Sequence, residues 1–599
     1  MRKYNLVIVA IIISILICLM LFPLISNFTK YIPGFHSTDE SYAALWNFWW
    51  LSKTHADKLP IDACPLIAAP FDLGYCKNVY FLWNLINKWL TVFTSNIVAY
   101  NTEIVFSFLL AAFFVYLLAY HICRNVFASF LSAVIYAFCP YHFVRSWQHL
   151  GLAQIQWMPL FIFALIKLDE KRSIKYAAIL GIAFFLVASF DLYYAYFMFL
   201  TAPIYILYSI FAKFKLNKSI AATLKEELNF LRMLVLSAFF AGVLYLPSIS
   251  MILHNAKISS GKGVSVFNTY LRPFEDLFSQ SARPLSYFLP ASTHPVFGGF
   301  TESFVGTGLY GESYTEHALY LGWVPLILAF FAFRRRRISK DPSERYYICC
   351  FLVLAVVAWL FSQPPWWQFG PFKLYMPSFF MYKLFPMFRA YCRFGIVVML
   401  AVSILAALGL KVILDRFKGG ILRFCVTVIC CVLVLFEFWN WPPYKVIDVS
   451  GVPSAYYWLH STPGDFIIAE YPLDYDGSNE LYKFYQTKHE KKIINGTIPG
   501  TFANKVAHNI IKLSDLNTAR VLKWMGVRYV LVHKNEYLKT ELTEDKEELS
   551  RISGNSGLKL VKDFPAESCP NQDIRCVRET GPIDVYEVIA QPKEPKVEQ

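Results

Sequence analysis

The sequence predicts a polytopic α-helical membrane protein with a small α/β domain at its C-terminal end. Of its 599 residues, 56% are hydrophobic and only 16% are charged, and the mean hydropathy is +0.42. A soluble globular chain is typically about one quarter charged, so this composition excludes an ordinary cytosolic enzyme. Long apolar runs separated by basic connections are typical of a chain that crosses a membrane several times.

Charge marks the boundary between the two predicted domains. Residues 441–599 contain 20 Lys+Arg and 22 Asp+Glu, whereas residues 1–440 carry a net charge of +16. We therefore predict a transmembrane domain over 1–440 and a separate domain over 441–599. Within 1–440, the two longest polar connections are 26–95 and 254–316.

Apolar runs within residues 1–440 predict about eleven transmembrane helices. Several runs are shorter than the roughly 20 residues that cross a bilayer core, so their boundaries are approximate. The segments are 5–25, 96–121, 127–143, 150–166, 176–190, 194–212, 233–253, 317–333, 347–361, 394–410 and 424–440.

Lys and Arg in the connections predict the orientation in the membrane. With a cytoplasmic N-terminus, the inner connections hold 22 Lys+Arg in 64 residues and the outer ones hold 14 in 174. Cytoplasmic connections carry such an excess. An odd number of spans then places 441–599 outside the cytoplasm.

The C-terminal domain has the pattern of a compact α/β fold. Candidate strands and candidate helices alternate over most of its length, and the strands are rich in apolar residues. The predicted strands are 466–471, 527–532, 558–563 and 583–589, and the predicted helices are 453–462, 478–490, 514–525 and 536–552. Ser514 is the candidate N-cap of the third helix.

Four cysteines on the predicted outer side form two close pairs. Cys64 lies near Cys76, and Cys569 lies near Cys576. Disulfides persist in oxidising compartments, so both pairs are candidate bridges. Unpaired thiols are the alternative.

Asp39 and Glu40 are the leading candidates for chemistry. They follow the first apolar segment and precede an aromatic run, Leu45–Trp50. A carboxylate shielded by aromatic neighbours at a membrane surface can have a raised pKa and act as a general base. The alternative is a solvated helix N-terminus, where acidic residues are common.

Four stretches of the chain together resemble a known superfamily. They are Thr38–Trp50, Phe138–Leu160, Tyr287–Gly298 and Met387–Gly395. In their order and spacing they are similar to the GT-C superfamily of polytopic glycosyltransferases, and most similar to its YfhO-type membrane proteins. The resemblance implies transfer of a sugar from a polyprenyl-phosphate donor to a lipid, glycan or protein acceptor outside the cytoplasm. It also implies that Asp39 is the base, with Glu40 less certain.

Basic residues on the outer side are candidates for holding the donor phosphate. Arg389 and Arg393 are four residues apart, a spacing that would place them on one helix face. Arginine suits phosphate because its guanidinium donates in a planar, bidentate manner. Arg145 is a third candidate. The alternative interpretation is that these residues are interfacial anchors.

Four further polar residues are candidate substrate contacts. His149 follows Arg145 by four residues, and Gln154 lies near the outer end of the fourth segment, where an unpaired amide is costly. His294 and Glu316 lie in the connection 254–316.

The sequence shows no local spacing of metal ligands, and the resembled transferases imply none, so we predict neither metal nor cofactor. Basic residues are scattered over many short connections, which argues against nucleic acid as a partner. The lipid bilayer is the predicted surrounding. Two other functions fit the same residues: a transporter or flippase of lipid-linked saccharides, and a noncatalytic membrane scaffold.

Overall fold

The computed structural model describes most of the chain. The described residues are 3–34, 39–57, 64–71, 80–216, 220–261, 271–313, 315–339, 341–440, 443–473, 479–498, 501–539, 543–571 and 573–595. All structural statements below refer to these residues.

Helices dominate the described chain. They are α1 (Lys3–Met20), α2 (Asp39–Ala56), α3 (Phe81–Phe93), α4 (Asn96–Cys123), α5 (Val126–Ala137), α6 (Pro140–Gln148), α7 (Trp157–Lys171), α8 (Ile174–Phe190), α9 (Leu192–Leu216), α10 (Ile220–Gly261), α11 (Asp276–Ser279), α12 (Gly298–Glu302), α13 (Trp323–Ile338), α14 (Pro342–Ser362), α15 (Pro377–Leu384), α16 (Gly395–Leu414), α17 (Gly420–Glu437), α18 (Ser454–Ser461), α19 (Glu480–His489), α20 (Phe502–Asn509), α21 (Leu516–Trp524), α22 (Lys534–Lys539) and α23 (Thr543–Ile552). The strands are β1 (Tyr31–Pro33), β2 (Trp366–Phe369), β3 (Phe372–Tyr375), β4 (Val446–Asp448), β5 (Ile467–Tyr471), β6 (Lys492–Ile493), β7 (Val527–His533), β8 (Leu558–Phe564) and β9 (Ile583–Val588).

The apolar helices confirm a polytopic membrane protein. Among the described residues, six helices are long and apolar enough to cross a bilayer, and the bent pair α5 and α6 raises this to seven if it forms one span. Each of the eleven apolar segments overlaps a helix. Several of these helices are shorter than a full span, so the number eleven and the orientation stay predictions.

Two of the predicted segments differ from the structure in their boundaries. Segment 127–143 is broken, because α5 ends at Ala137 and α6 begins at Pro140 with a bend of 41°. Proline lacks an amide hydrogen and cannot continue the preceding helix. Segment 150–166 begins as a non-helical connection, and α7 starts only at Trp157.

The chain forms two compact units, which differ from the predicted boundary at 440. The first unit comprises residues 1–22, 103–247 and 271–444, and the second comprises 23–102, 248–270 and 445–599. The described residues of 26–95 thus group with residues 445–599 by their contacts, and the division into domains 1–440 and 441–599 stays a prediction.

Helix α16 is the centre of the first unit. All of its residues except 411–413 are buried, because α5, α13 and α14 pack around it. Gly409 brings α16 against α13: a Cβ at this position would lie 1.8 Å from the carbonyl oxygen of Leu328. The two backbones touch here because glycine has no side chain.

The second unit contains a five-stranded sheet in the order β6-β5-β7-β9-β8. Strands β5, β6 and β7 are parallel, and β9 is antiparallel to both β7 and β8. The four strands predicted in this region are all present, and sequence reasoning missed the two-residue strand β6. The N-cap prediction was wrong: Asp515 caps α21 through Asn517, while Ser514 donates to Glu548.

Candidate active site

Helix α6 carries Arg145 into the interior of the first unit. The helix begins at Pro140, whose fixed φ suits a first helical position, and all nine of its residues are buried. The Arg145 side chain is fully buried. A buried guanidinium needs a compensating anion, so its partner defines the site.

That partner is Glu316, which Arg145 shares with Arg393. Arg145 donates from Nη1 to Oε1 (3.1 Å) and from Nη2 to Oε2 (2.5 Å) of Glu316. Arg393 donates from Nη2 to Oε1 (2.7 Å) and from Nε to Oε2 (3.2 Å). The thiol of Cys392 also donates to Oε2, at 3.2 Å. One carboxylate thus binds two guanidiniums, each in a bidentate manner. We call Arg145, Glu316 and Arg393 the arginine cluster.

Tyrosine rings cover both guanidiniums of the arginine cluster. The Arg145 guanidinium lies 5.0 Å from the ring centre of Tyr141, and that of Arg393 lies 4.7 Å from the ring centre of Tyr193. The hydroxyls of Tyr141 and Tyr194 are hydrogen-bonded at 3.1 Å. Aromatic faces attract cations, so these rings stabilise positive charge where water is excluded.

The arginine cluster has one more cation than anion. Burial alone would raise the pKa of Glu316, but the charges of Arg145 and Arg393 outweigh burial and hold that pKa well below its usual range. Glu316 is therefore ionised at neutral pH, so two guanidiniums share one carboxylate in the cluster, and the charge of Arg393 also acts on the nearby carboxylate of Asp191. The Nε atom of Arg145 is buried and has no hydrogen-bond partner within the described chain.

Asp191 lies at the junction of α8 and α9. Its Oδ1 accepts hydrogen bonds from the backbone N–H groups of Tyr193 (2.8 Å) and Tyr194 (3.2 Å). Asp191 thus caps α9 and orients Tyr193, whose ring covers the Arg393 guanidinium.

Arg389 does not share a helix face with Arg393, which corrects the spacing argument. Residues 391–394 form a 3-10 turn and α16 begins only at Gly395, so Arg389 precedes the helix. Its Nη1 donates to Asp276 Oδ2 at 2.6 Å, and its side chain is 39% exposed. Arg389 is consequently the more accessible arginine, since the side chain of Arg393 is 13% exposed.

The structure places three other candidate contacts among the described residues. His149 follows the last residue of α6, and its backbone N–H donates to the carbonyl of Arg145. Gln154 is buried, donates to Leu150 O and accepts from Gln156. His294 is buried with both ring nitrogens engaged: Nε2 pairs with Phe436 O at 2.9 Å, and Nδ1 accepts from two backbone N–H groups.

The predicted catalytic acids lie at the start of α2. The helix begins at Asp39, whose side chain is outside the described part of the chain, and Glu40 is exposed. The proximity of Asp39 to any arginine therefore stays a prediction.

One of the two predicted disulfides lies within the described chain. Cys569 and Cys576 form it, with Cα atoms 5.7 Å apart. Cys64 is buried and Cys76 lies outside the described residues, so their pairing stays a prediction.

Sequence reasoning identified the members of the arginine cluster but not their pairing. Glu316 is 171 residues from Arg145 and 77 from Arg393 along the chain, and no local pattern links positions so far apart. It also missed Asp276 as the partner of Arg389. The adjacent tyrosines beside Asp191 were a usable signal for the aromatic cover. Among the described residues, no group of three or more His, Cys, Asp or Glu side chains could hold a metal ion.

No protein-family model matches the chain, and no curated protein matches its sequence. Solved structures do resemble its fold. The apo oligosaccharyltransferase of Archaeoglobus fulgidus is 13% identical, with a TM-score of 0.51 over 90% of this chain and 70% of that chain.

Two further structures score slightly lower. The archaeal oligosaccharyltransferase AglB of Archaeoglobus fulgidus, in complex with an inhibitory peptide and a dolichol-phosphate, is 12% identical, with a TM-score of 0.49 over 90% of this chain and 71% of that one. ArnT from Cupriavidus metallidurans, bound to undecaprenyl phosphate, is 9% identical, with a TM-score of 0.48 over 99% of this chain and 100% of that one.

The chain has a GT-C-type fold. This statement rests on the apo oligosaccharyltransferase, whose TM-score exceeds 0.5, and it concerns the fold alone. It confirms the expected fold, and membership of the GT-C superfamily stays a prediction. The closer likeness to YfhO-type proteins stays a prediction.

Proposed function

We propose that this protein is a membrane glycosyltransferase that moves a sugar from a polyprenyl-phosphate donor to an acceptor outside the cytoplasm. The arginine cluster is the observation that carries the proposal. Ionisable side chains buried in a membrane protein are costly, and such residues are typical of functional sites. A GT-C-type fold, as in the oligosaccharyltransferase of Archaeoglobus fulgidus, provides the context.

The donor phosphate would be held by Arg393 and Arg389. A guanidinium has five N–H donors, and Glu316 takes two from Arg393, so donors remain for a second anion. Arg145 is fully buried, and its role is to fix Glu316 and thereby the orientation of Arg393. Arg389 uses one N–H on Asp276, in a partly exposed pair that contributes little, so its other donors are available to the same phosphate.

The reaction would be a single displacement at the anomeric carbon. A hydroxyl or amine of the acceptor forms the new bond to carbon as the bond to the phosphate oxygen breaks. The phosphate leaves with the electron pair, and the arginines stabilise its charge. Asp39 would take the proton of the acceptor group, with Glu40 as an adjacent acid. Inversion at carbon follows from one displacement.

The test uses the full-length protein in lipid nanodiscs with radiolabelled polyprenyl-phosphate sugars and an envelope extract as acceptor. We expect transfer by the wild type and a loss of about 100-fold or more in kcat for Asp39→Asn, in the range of a general base. Glu40→Gln is the matched neighbouring control, with a smaller loss.

Three outcomes contradict parts of the proposal. Full transfer by Asp39→Asn removes the base assignment. Absence of transfer with every donor, together with movement of the lipid-linked sugar across the bilayer of proteoliposomes, identifies a transporter instead. Absence of both donor binding and movement leaves a scaffold.

A further inference from the structure

The second unit contains a polar pocket at the carboxyl ends of its parallel strands. The pocket has a volume of about 430 Å³. Strand β5 leads through α19 to β6 on one side of it, whereas β7 leads through α22 and α23 toward β8 and β9 on the other side. The chain thus leaves β5 and β7 in opposite directions. In open α/β sheets, ligands bind in the crevice at such a point.

The floor of the pocket is a fixed aromatic layer. His533, the last residue of β7, stacks on Tyr482 with ring centres 4.7 Å apart. Its Nε2 pairs with Glu470 Oε2 at 2.8 Å, and the Tyr456 hydroxyl donates to the same oxygen at 2.6 Å. Tyr485 stacks on Tyr456 at 4.3 Å. Because each ring is held by another ring or by a buried hydrogen bond, the floor is preorganised.

The rim of the pocket is rich in hydrogen-bonding groups of both kinds. Two cationic side chains, including Lys539, and three acidic ones, including Glu536, line it. Asn535 adds an amide. The Thr580 hydroxyl oxygen is buried at the rim and has no hydrogen-bond partner among the described residues. A buried hydroxyl of this kind is normally satisfied, and a ligand would satisfy it.

We infer that this pocket binds a neutral saccharide of one or two rings. Mixed donors and acceptors with nearly balanced charge suit a ligand with many hydroxyls and no charge. The three carboxylates disfavour a phosphate or nucleotide, and the two cations disfavour a basic peptide. The floor rings of Tyr482, Tyr485 and His533 are only 4%, 1% and 5% exposed, so the polar rim supplies the contacts to the sugar. The volume lies within the range of small-molecule sites. Binding here is independent of the proposed transfer reaction.

The experiment is a binding measurement on the full-length protein in nanodiscs without any donor. The probes are methyl glucoside, methyl galactoside, methyl mannoside, N-acetylglucosamine, lactose, maltose and cellobiose, followed by saturation-transfer NMR and calorimetry. We expect at least one probe to bind, and we expect Lys539→Gln and Glu536→Gln to weaken its binding at least about tenfold, the loss of one good hydrogen bond. Both side chains are partly exposed, at 62% and 38%, so folding should tolerate these changes.

Matched controls separate the pocket from general effects of charge. Glu547 and Arg551 form a similar helix pair outside the pocket, at 2.9 Å, and Glu547→Gln should leave binding unchanged. Gly581→Ala should weaken binding, because its Cβ would lie 2.0 Å from Cγ of Asn535 and displace that amide. Gly451→Ala, whose Cβ would lie 3.8 Å from Cδ of Arg578, should leave binding unchanged.

Three results would overturn the inference. They are the absence of binding for every probe, equal binding by the pocket variants and the wild type, and stronger binding of inorganic phosphate or a lysine-rich peptide than of any saccharide. Asp39→Asn should bind the saccharide normally, so a failed transferase assay leaves this result intact.

Discussion

Two buried carboxylates, one in each unit, are satisfied in different ways. Glu316 in the first unit receives four N–H donors from two guanidiniums. Glu470 in the second unit accepts the Tyr456 hydroxyl and pairs with His533 on one oxygen, and its other oxygen has no partner in the described chain. Glu316 is held by two positively charged guanidiniums. Glu470 is held by the ring of one histidine and by one tyrosine hydroxyl.

The two sets of partners suit the two carboxylates to different roles. Removing a carboxylate from between two buried cations leaves them uncompensated, so loss of Glu316 should destabilise the fold unless another anion enters. Around Glu470, each group is polar but contributes one modest hydrogen bond. The arginine cluster is therefore suited to binding an anion. The hydrogen bonds of Glu470 are suited to orienting the rings under the polar pocket.

The largest effect should come from Glu316→Gln. This change leaves the guanidiniums of Arg145 and Arg393 buried without a carboxylate, and we expect a loss of about 3–5 kcal/mol in the free energy of unfolding. Thermal unfolding of the purified protein in detergent, followed by size-exclusion chromatography, measures it. A loss below about 1 kcal/mol would show that the cluster is solvated.

A smaller effect is expected for Glu470→Gln. The amide keeps the shape but weakens the bonds to Tyr456 and His533, and we expect a loss of about 1–3 kcal/mol. Hydrogen exchange of peptides from β5 and β7 reports it within the intact chain. Glu587→Gln on β9, whose partner Arg528 is 45% exposed at 3.8 Å, is the control and should change exchange little.

The stability of the second unit should fall in acid because of His489. Burial, followed by the charges of Lys491 and His460, lowers the pKa of His489 to about 3. The unfolded chain, with the ordinary pKa of 6.5, binds the proton first, so stability is complete above pH 6.5 and declines as the pH falls toward 3. At pH 5 the loss is about 2 kcal/mol. Hydrogen exchange at pH 5 and 7, compared at matched intrinsic rates, checks this, and His489→Gln should flatten the dependence.

The smallest effect on stability should come from Asp276→Asn. The pair with Arg389 is 27% and 39% exposed, so its loss costs about 0–1 kcal/mol. The same change frees Arg389, and we expect tighter binding of polyprenyl phosphate in nanodiscs. Unchanged or weaker lipid binding would show that Arg389 does not bind the phosphate. Arg389→Gln is the matched variant and should weaken binding.

Local patterns in the sequence were sufficient for most elements. Short runs rich in apolar residues located β5, β7, β8 and β9. Each of the eleven predicted apolar runs overlaps a helix. The break before Pro140 was missed, since the run itself continues across it. The two-residue strand β6 was missed because it is too short to show a period.

The residues of the candidate sites were also predicted only in part. Composition and position singled out Arg145, Glu316 and Arg393 as unusual, since charged residues beside apolar helices have few uses. Their common contact depends on how the helices of the first unit pack. The pocket beside His533 gave no sequence signal. Glu470 and His533 lie far apart in the chain and come together only because β5 and β7 are neighbours in the sheet.

The amino-acid sequence by itself determined the class of protein, the positions of many of its helices and strands and the residues with chemical potential. These depend on the hydropathy and spacing of neighbouring residues. Only the tertiary structure decided that one glutamate binds two arginines, that Arg389 turns to Asp276 and that a polar pocket opens at the sheet. Such contacts join residues far apart in the chain, and their distances are fixed by packing.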